Sequence, residues 1–94
     1  MAGSTFQAAA VIGTGMMGPG IAAVFAAGGL RTVILSRDRE RGCRAVERAA
    51  QQISLLEEHG LLPSETAQRG RELLSASTDY EASVADVDIV IESG

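Results

Sequence analysis

Three glycines near the start of the chain, Gly13, Gly15 and Gly18, have the G-x-G-x-x-G spacing of a phosphate-binding turn. An apolar run at residues 7–12 predicts a buried strand before them, and residues 15–27 follow with a helical pattern. In such a unit the first glycine permits the tight turn, the second lets a pyrophosphate approach the backbone, and the third lets helix and strand pack closely. Because the helix N-terminus also attracts phosphates, the motif predicts a dinucleotide site; the alternative is a glycine-rich turn without a ligand. The predicted contacts are Gly13, Gly15, Met16, Met17 and Gly18.

The end of the second predicted strand, residues 31–36, carries Ser36 followed by Arg37. An acidic residue at this position binds the ribose hydroxyls of NAD and repels the 2′-phosphate of NADP. A hydroxyl followed by a guanidinium binds a phosphate instead, and further arginines downstream add positive charge. We therefore predict that NADP is preferred over NAD. Two alternatives stay open: Asp38 takes the acidic role and NAD binds, or the arginines are solvated side chains at a helix start.

Groups for acid–base or metal chemistry are scarce in this sequence. The lone His59 is predicted at a helix C-terminus beside Gly60, where a partial positive charge suits the helix dipole, and we interpret it as structural. The lone Cys43 allows no internal disulfide and is predicted to be a small core residue. Since the sequence shows neither a metal-ligand cluster nor a Ser–His–Asp set, we predict no catalytic residue and no metal site in this chain.

The elements that must position these residues alternate between strands and helices. Strands are predicted at residues 7–12, 31–36, 73–76 and 87–91, and helices at 15–27, 38–59, 63–72 and after a Thr78-x-x-Glu81 capping box. This alternation predicts an α/β fold with a parallel sheet, and a full doubly wound Rossmann sheet has about six strands. The four predicted here therefore form a partial Rossmann sheet with a helical hairpin between the second and third strands. The stripe of the first helix predicted to face the sheet is Met17, Ile21, Val24, Phe25 and Gly28.

Composition excludes several classes of partner. The chain has 94 residues, a net charge of −4 and a pI near 4.8, and such a chain has no electrostatic footprint for nucleic acid or an anionic membrane. Aromatic residues make up 3% of the chain, so the core is predicted to consist of Ala, Val, Ile and Leu. Neither a signal-peptide pattern nor an apolar run long enough for a membrane span is present, and the single cysteine is typical of a reduced compartment. We therefore predict a cytoplasmic location.

Four segments together resemble the opening of the 3-hydroxyacyl-CoA dehydrogenases. They are residues 11–22 around the glycine motif, 60–63 at the end of the hairpin, 77–79 and 86–92. The resemblance implies a nicotinamide cofactor domain in an enzyme that interconverts 3-hydroxyacyl-CoA and 3-oxoacyl-CoA. It also implies that the hairpin flanks the acyl-CoA entrance and that the backbone after Glu92 runs past the cofactor ribose, which makes Ser93 a candidate contact. On this reading, residues 1–94 are the N-terminal part of a dinucleotide-binding domain.

Departures from the family pattern limit what the resemblance carries over. The family usually has Asp where Ser36 stands. Family members also often have a lysine on the hairpin near CoA, and this chain has no lysine. In the family, the catalytic His–Glu pair with its supporting Ser and Asn lies further along than Gly94, and the substrate and dimerisation domain also lies outside residues 1–94. We therefore expect homo-oligomers formed through a C-terminal domain absent from this chain. Another NADP-dependent hydroxyacid dehydrogenase and a non-catalytic NAD(P)-binding sensor or structural protein remain alternatives.

Overall fold

The computed structural model describes residues 6–15 and 17–93, and Met16, one of the predicted contacts, lies outside them. The elements are β1 (Ala8–Ile12), α1 (Gly18–Ala27), β2 (Arg31–Leu35), α2 (Arg39–Glu58), α3 (Ser64–Glu72), β3 (Leu74–Ser77), α4 (Tyr80–Ala85) and β4 (Ile89–Glu92). The four strands are parallel and lie in the order β3-β2-β1-β4. The predicted α/β fold is therefore confirmed, with a four-stranded parallel sheet and the α2–α3 hairpin between β2 and β3.

The sheet is built around β1, which lies between β2 and β4. Ala10 of β1 is aligned with Val33 on one side and with Val90 on the other. The buried hydrophobic residues are Ala8, Ala9, Ala10, Val11, Ala22, Ala23, Ala26, Ile34, Leu35, Ala45, Ala49, Ile53, Ala67 and Leu74. This set contains only the four residue types that the composition predicted, and alanine dominates it. Side chains this small allow the helices to lie close to the sheet.

The buried face of α1 differs from the predicted stripe. The residues of α1 that the fold buries are Gly18, Pro19, Ala22, Ala23 and Ala26. Met17 and Val24 are 70% and 68% exposed, while Ile21 and Phe25 pack partly buried against the edge of the core. The prediction was wrong for Met17 and Val24, because it ranked positions by hydrophobicity, whereas the close approach of α1 to the sheet leaves room for only small side chains at its centre.

Asp38 caps the N-terminus of α2, as the sequence predicted. Its Oδ1 accepts hydrogen bonds from the backbone amides of Glu40 and Arg41 at 2.9 and 3.3 Å. The buried residues of α2 are Gly42, Ala45, Ala49 and Ile53, which share one helical face. Cys43 lies off this face and is exposed, so its prediction as a core residue was wrong.

The α2–α3 hairpin is joined across its two helices by Arg71. The Nη1 atom of Arg71 donates to Glu57 Oε1 at 3.0 Å and to Ser54 Oγ at 3.2 Å. The hydrogen bond from Arg71, followed by one with the Ser64 side chain, lowers the pKa of Glu57 below its ordinary value. Gly60 follows α2 with a φ of 73°, in the left-handed region that glycine favours. The chain therefore turns where the sequence predicted the helix to stop.

The start of α4 lies one residue later than the predicted capping box. Asp79, rather than Thr78, caps this helix, and its Oδ1 accepts from the amide of Ala82 at 3.1 Å. Aspartate is at least as effective an N-cap as threonine, and the two residues are adjacent. A sequence pattern therefore places this boundary only to within a residue.

The side chain of Asp88, just before β4, is hydrogen-bonded to the backbone at the start of β1. Its Oδ2 accepts hydrogen bonds from the backbone amides of Gln7 at 2.8 Å and Ala8 at 3.1 Å. These bonds, with the one from Gln7 largest, lower the pKa of Asp88 below its ordinary value. The carboxylate thus stabilises the fold above its unfolded-state pKa, and this contribution is lost as the pH falls through the lower folded-state pKa.

We expect Asp88→Asn to lower the thermal midpoint at pH 7 and to have a smaller effect as the pH is lowered from 7 towards 2, because the native carboxylate then becomes progressively protonated. Thermal unfolding followed by circular dichroism across this pH range measures how the midpoint of the variant approaches that of the unmodified protein. Glu47→Gln removes one negative charge from an exposed side chain that has no hydrogen-bond or ion-pair partner in the described part of the chain, and should leave the midpoint unchanged. An Asp88→Asn deficit of equal size at both pH values would contradict the proposed linkage.

Candidate functional site

The loop between β1 and α1 lies at the carboxyl edge of the sheet, where ligands bind in open α/β folds. Gly13 begins the loop with a φ of 107°, a conformation in which a residue with a side chain would be strained. Its amide donates to the carbonyl oxygen of Leu35 at the end of β2, at 2.9 Å. The amide of Gly18 donates to Gly15 O at 3.1 Å and closes the turn into the helix. The loop therefore folds tightly across the ends of two strands.

Gly15 and Gly18 differ in how closely the surrounding structure packs against them. A Cβ atom added at Gly18 would lie 2.7 Å from the carbonyl oxygen of Gly13, a separation that forces the backbone to move. A Cβ added at Gly15 would meet only Ser93 O, at 3.5 Å, which is ordinary van der Waals contact. Packing within the described structure therefore explains glycine at 18 but not at 15. The open space over Gly15 fits the approach of a bound phosphate to the backbone.

Ser93 follows β4 and lies beneath the glycine loop. Its amide donates to Ile12 O at 2.8 Å, which continues the pairing of β1 and β4. Its hydroxyl oxygen is buried and has no hydrogen-bond partner among the described residues. Since buried hydroxyls are normally paired, this one offers a donor and an acceptor to a polar group that enters the loop. The position agrees with the prediction of Ser93 as a contact, and that role remains a prediction.

The end of β2 holds Ser36 and Arg37 in contrasting states. The Ser36 hydroxyl is nearly buried, donates to the carbonyl of Asp38 at 3.0 Å and accepts from the amide of Asp38 at 3.2 Å. Arg37 is exposed and has no hydrogen-bond or ion-pair partner in the described part of the chain. The two residues are adjacent to the glycine loop because Leu35 of β2 bonds Gly13. The guanidinium of Arg37 is therefore free to bind a ligand, whereas the Ser36 hydroxyl already shapes the turn.

A cleft of about 480 Å³ separates the glycine loop from α2. Its walls are Gly13, Thr14 and Gly15 on one side and Arg41, Arg44, Ala45 and Arg48 on the other. Sequence reasoning noted the basic stretch but missed Arg44 and Arg48 as site residues. The available signal was their helical spacing, since positions 41, 44 and 48 share one face of α2. The cleft brings three guanidinium groups to the loop that was predicted to bind phosphates.

Together these features fit a dinucleotide. The loop supplies open backbone beside Gly15, the unpaired hydroxyl of Ser93 lies below it, and positive charge faces it across the cleft. Anions are favoured at such a place by free amides at a helix N-terminus and by arginine. Met17, another predicted contact, immediately precedes α1 and exposes its side chain to solvent at this edge.

Groups for acid–base or metal chemistry are not assembled in the described residues. His59 caps the C-terminus of α2, as predicted, and is exposed. No group of three or more His, Cys, Asp or Glu side chains in residues 6–15 and 17–93 could hold a metal ion. Within the same residues, no helix has both the length and the apolar character to cross a membrane.

Comparison with known proteins gives a consistent picture. Residues 8–94 match the family model for the NAD-binding domain of 3-hydroxyacyl-CoA dehydrogenase. A 3-hydroxyadipyl-CoA dehydrogenase of Escherichia coli K12 is 36% identical over 87 residues, which cover 93% of this chain and 18% of that protein. The crystal structure of 3-hydroxybutyryl-CoA dehydrogenase from Escherichia coli K12 superposes with a TM-score of 0.84 at 35% identity, covering 95% of this chain and 19% of that one. The structure of (S)-3-hydroxybutyryl-CoA dehydrogenase from Ralstonia eutropha gives 0.83 at 26% identity, covering 96% and 31%.

Proposed function

This chain belongs to the 3-hydroxyacyl-CoA dehydrogenase family, an oxidoreductase family, and we propose that it binds the nicotinamide dinucleotide for a 3-hydroxyacyl-CoA dehydrogenase reaction. The chain spans about a fifth to a third of the length of the relatives described above. On this proposal, residues 1–94 form the N-terminal part of the cofactor domain. The remainder of the parent protein supplies the acid–base groups and the selection of substrate, and a C-terminal domain joins the protein into homo-oligomers. The substrate is a 3-hydroxyacyl-CoA, which the reaction interconverts with the 3-oxoacyl-CoA.

The single observation that carries the proposal is the space over Gly15. Nothing in the described structure needs glycine there, yet the loop leaves the backbone open at the carboxyl edge of the sheet. A dinucleotide diphosphate uses such an opening, because its oxygens can accept hydrogen bonds from loop amides without meeting a side chain. When bound, the nicotinamide ring supplies hydride transfer, and the residues of this chain bind and orient the cofactor.

Direct titration tests the proposal. NADH and NADPH are titrated into the purified protein and followed by cofactor fluorescence and by calorimetry. Saturable binding of either cofactor at one site, competed by ADP-ribose, is the expected result. The proposal would be refuted if the folded protein bound neither NADH nor NADPH and neither of their oxidised forms.

We further propose that the cofactor is NADP in preference to NAD. Asp38 uses Oδ1 to cap α2, and its other oxygen lies 3.9 Å from the Arg41 guanidinium, so this carboxylate is poorly placed to bind ribose hydroxyls. Ser36 is bonded within its turn, which leaves the exposed Arg37 as the available group at the end of β2. A guanidinium recognises the 2′-phosphate through charge-assisted hydrogen bonds.

Ser36→Asp combined with Arg37→Ala should therefore shift the preference from NADPH toward NADH by about tenfold, since it exchanges a phosphate contact for a ribose-binding carboxylate. The ratio of the two dissociation constants is the measurement. Arg69→Ala serves as a control, because Arg69 lies in the last turn of α3 and not at the end of β2, and it should leave the ratio unchanged. Tighter binding of NADH than of NADPH by the unmodified protein would overturn the proposed preference.

A further inference from the structure

The arginine row on α2, formed by Arg41, Arg44 and Arg48, faces the glycine loop across the cleft described above. The cleft is bounded on the opposite side by the backbone of Gly13, Thr14 and Gly15. A ligand in this space therefore meets backbone from the loop on one side and guanidinium groups on the other. Guanidinium groups form charge-assisted hydrogen bonds with phosphate oxygens, often two at once.

The charges of the arginine row are almost uncompensated within the described residues. Arg44 and Arg48 have no hydrogen bond or ion pair there. Arg41 has one long ion-pair contact, from its Nε atom to Asp38 Oδ2 at 3.9 Å. Glu40 lies four residues before Arg44, a spacing that favours an ion pair, yet no such pair forms in the structure.

Like charges three and four residues apart on a helix repel one another. The arginine row therefore costs α2 some stability while the cleft holds no anion. A surface helix without a ligand gains nothing from this arrangement, whereas an anion in the cleft would turn the repulsion into attraction. The geometry is that of an anion site with its positive charge already in place.

We infer that the arginine row binds the diphosphate of the dinucleotide from the side opposite the glycine loop. A diphosphate carries two adjacent negative groups and spans several ångströms, so it can reach loop amides and more than one guanidinium together. The inference deepens the proposed function and rests on it. It adds Arg41, Arg44 and Arg48 as binding residues and makes α2 one wall of the cofactor site.

The test uses Arg44→Gln and Arg48→Gln separately, with Arg69→Gln on α3 as a control that removes the same charge outside the cleft. Inorganic pyrophosphate, NADH, NADPH and dephospho-CoA are titrated into each folded variant by calorimetry. We expect each cleft variant to bind pyrophosphate, NADH and NADPH about tenfold more weakly, while the control stays within twofold. Pyrophosphate should also raise the thermal midpoint of the unmodified protein more than that of either cleft variant.

Other outcomes reject the inference in distinguishable ways. A loss confined to NADPH would assign the arginine row to the 2′-phosphate, and a loss confined to dephospho-CoA would assign it to the acyl carrier; either would overturn the diphosphate assignment. If both cleft variants bind NADH as the unmodified protein does while a Gly15→Val variant loses NADH binding, the inference is refuted and the proposed function stands. If the unmodified protein binds neither nicotinamide cofactor, the proposed function fails as well.

Discussion

Gly15→Val should weaken the binding of NADH and NADPH by more than tenfold, a loss of about 1.4 kcal/mol or more. The branched side chain would occupy the space over the loop that we assign to the diphosphate. Because a Cβ at this position makes only ordinary contact with Ser93 O, the fold itself should tolerate the substitution. Cofactor titration together with thermal unfolding separates the two effects.

Two neighbouring glycines provide matched controls. Gly18→Ala places a Cβ 2.7 Å from Gly13 O and should destabilise the fold by about 1–3 kcal/mol. At Gly20 an added Cβ meets the side chain of Gln52 at 3.5 Å, so Gly20→Ala should preserve both stability and affinity. If Gly15→Val folds normally and binds both cofactors as the unmodified protein does, the glycine loop is not the diphosphate site.

The 94-residue chain alone should reduce acetoacetyl-CoA at a rate at least about a thousandfold below that of a full-length family member, given the usual contribution of a positioned acid–base group. The lone His59 is exposed at the end of α2, and no described carboxylate hydrogen-bonds to it. A general acid must be positioned at the proton that it transfers, and since no carboxylate orients the exposed His59, we expect it to contribute no acid–base catalysis.

The assay follows oxidation of NADPH and of NADH with acetoacetyl-CoA, using the purified chain beside a full-length relative. His59→Gln is the internal control and should leave any residual rate unchanged. Turnover within tenfold of the relative would place a catalytic group inside this chain. Loss of that turnover in His59→Gln would then identify the group as His59.

The sequence predicted the order and type of the secondary-structure elements because the strong local signals are all present. Gly13 and Gly60 stand where the backbone has positive φ, and Asp38 caps the helix it was predicted to cap. The run of apolar residues in β1 is typical of a strand covered on both faces. Such signals depend on neighbouring residues alone, so they can be read without knowing which elements meet.

Long-range packing limited the remaining predictions. The buried face of α1 is set by its close approach to β1, which selects Ala22 and Ala26 over the larger Val24. Cys43 is exposed because Gly42 faces Ala76, with an added Cβ only 3.3 Å from the Ala76 side chain. The cleft beside the arginine row likewise depends on the distance between α2 and the glycine loop, which residue spacing along the chain does not specify.

The alanine-rich core also affects how stability responds to temperature. The heat capacity of unfolding rises with the apolar area that becomes exposed, and each buried alanine contributes a single methyl group to that area. A core of this kind therefore has a smaller heat-capacity change than one of equal residue number built from leucine and phenylalanine. A small heat-capacity change gives a flatter curve of stability against temperature, so the free energy of unfolding of this domain should vary less with temperature than that of a domain with a leucine-rich core.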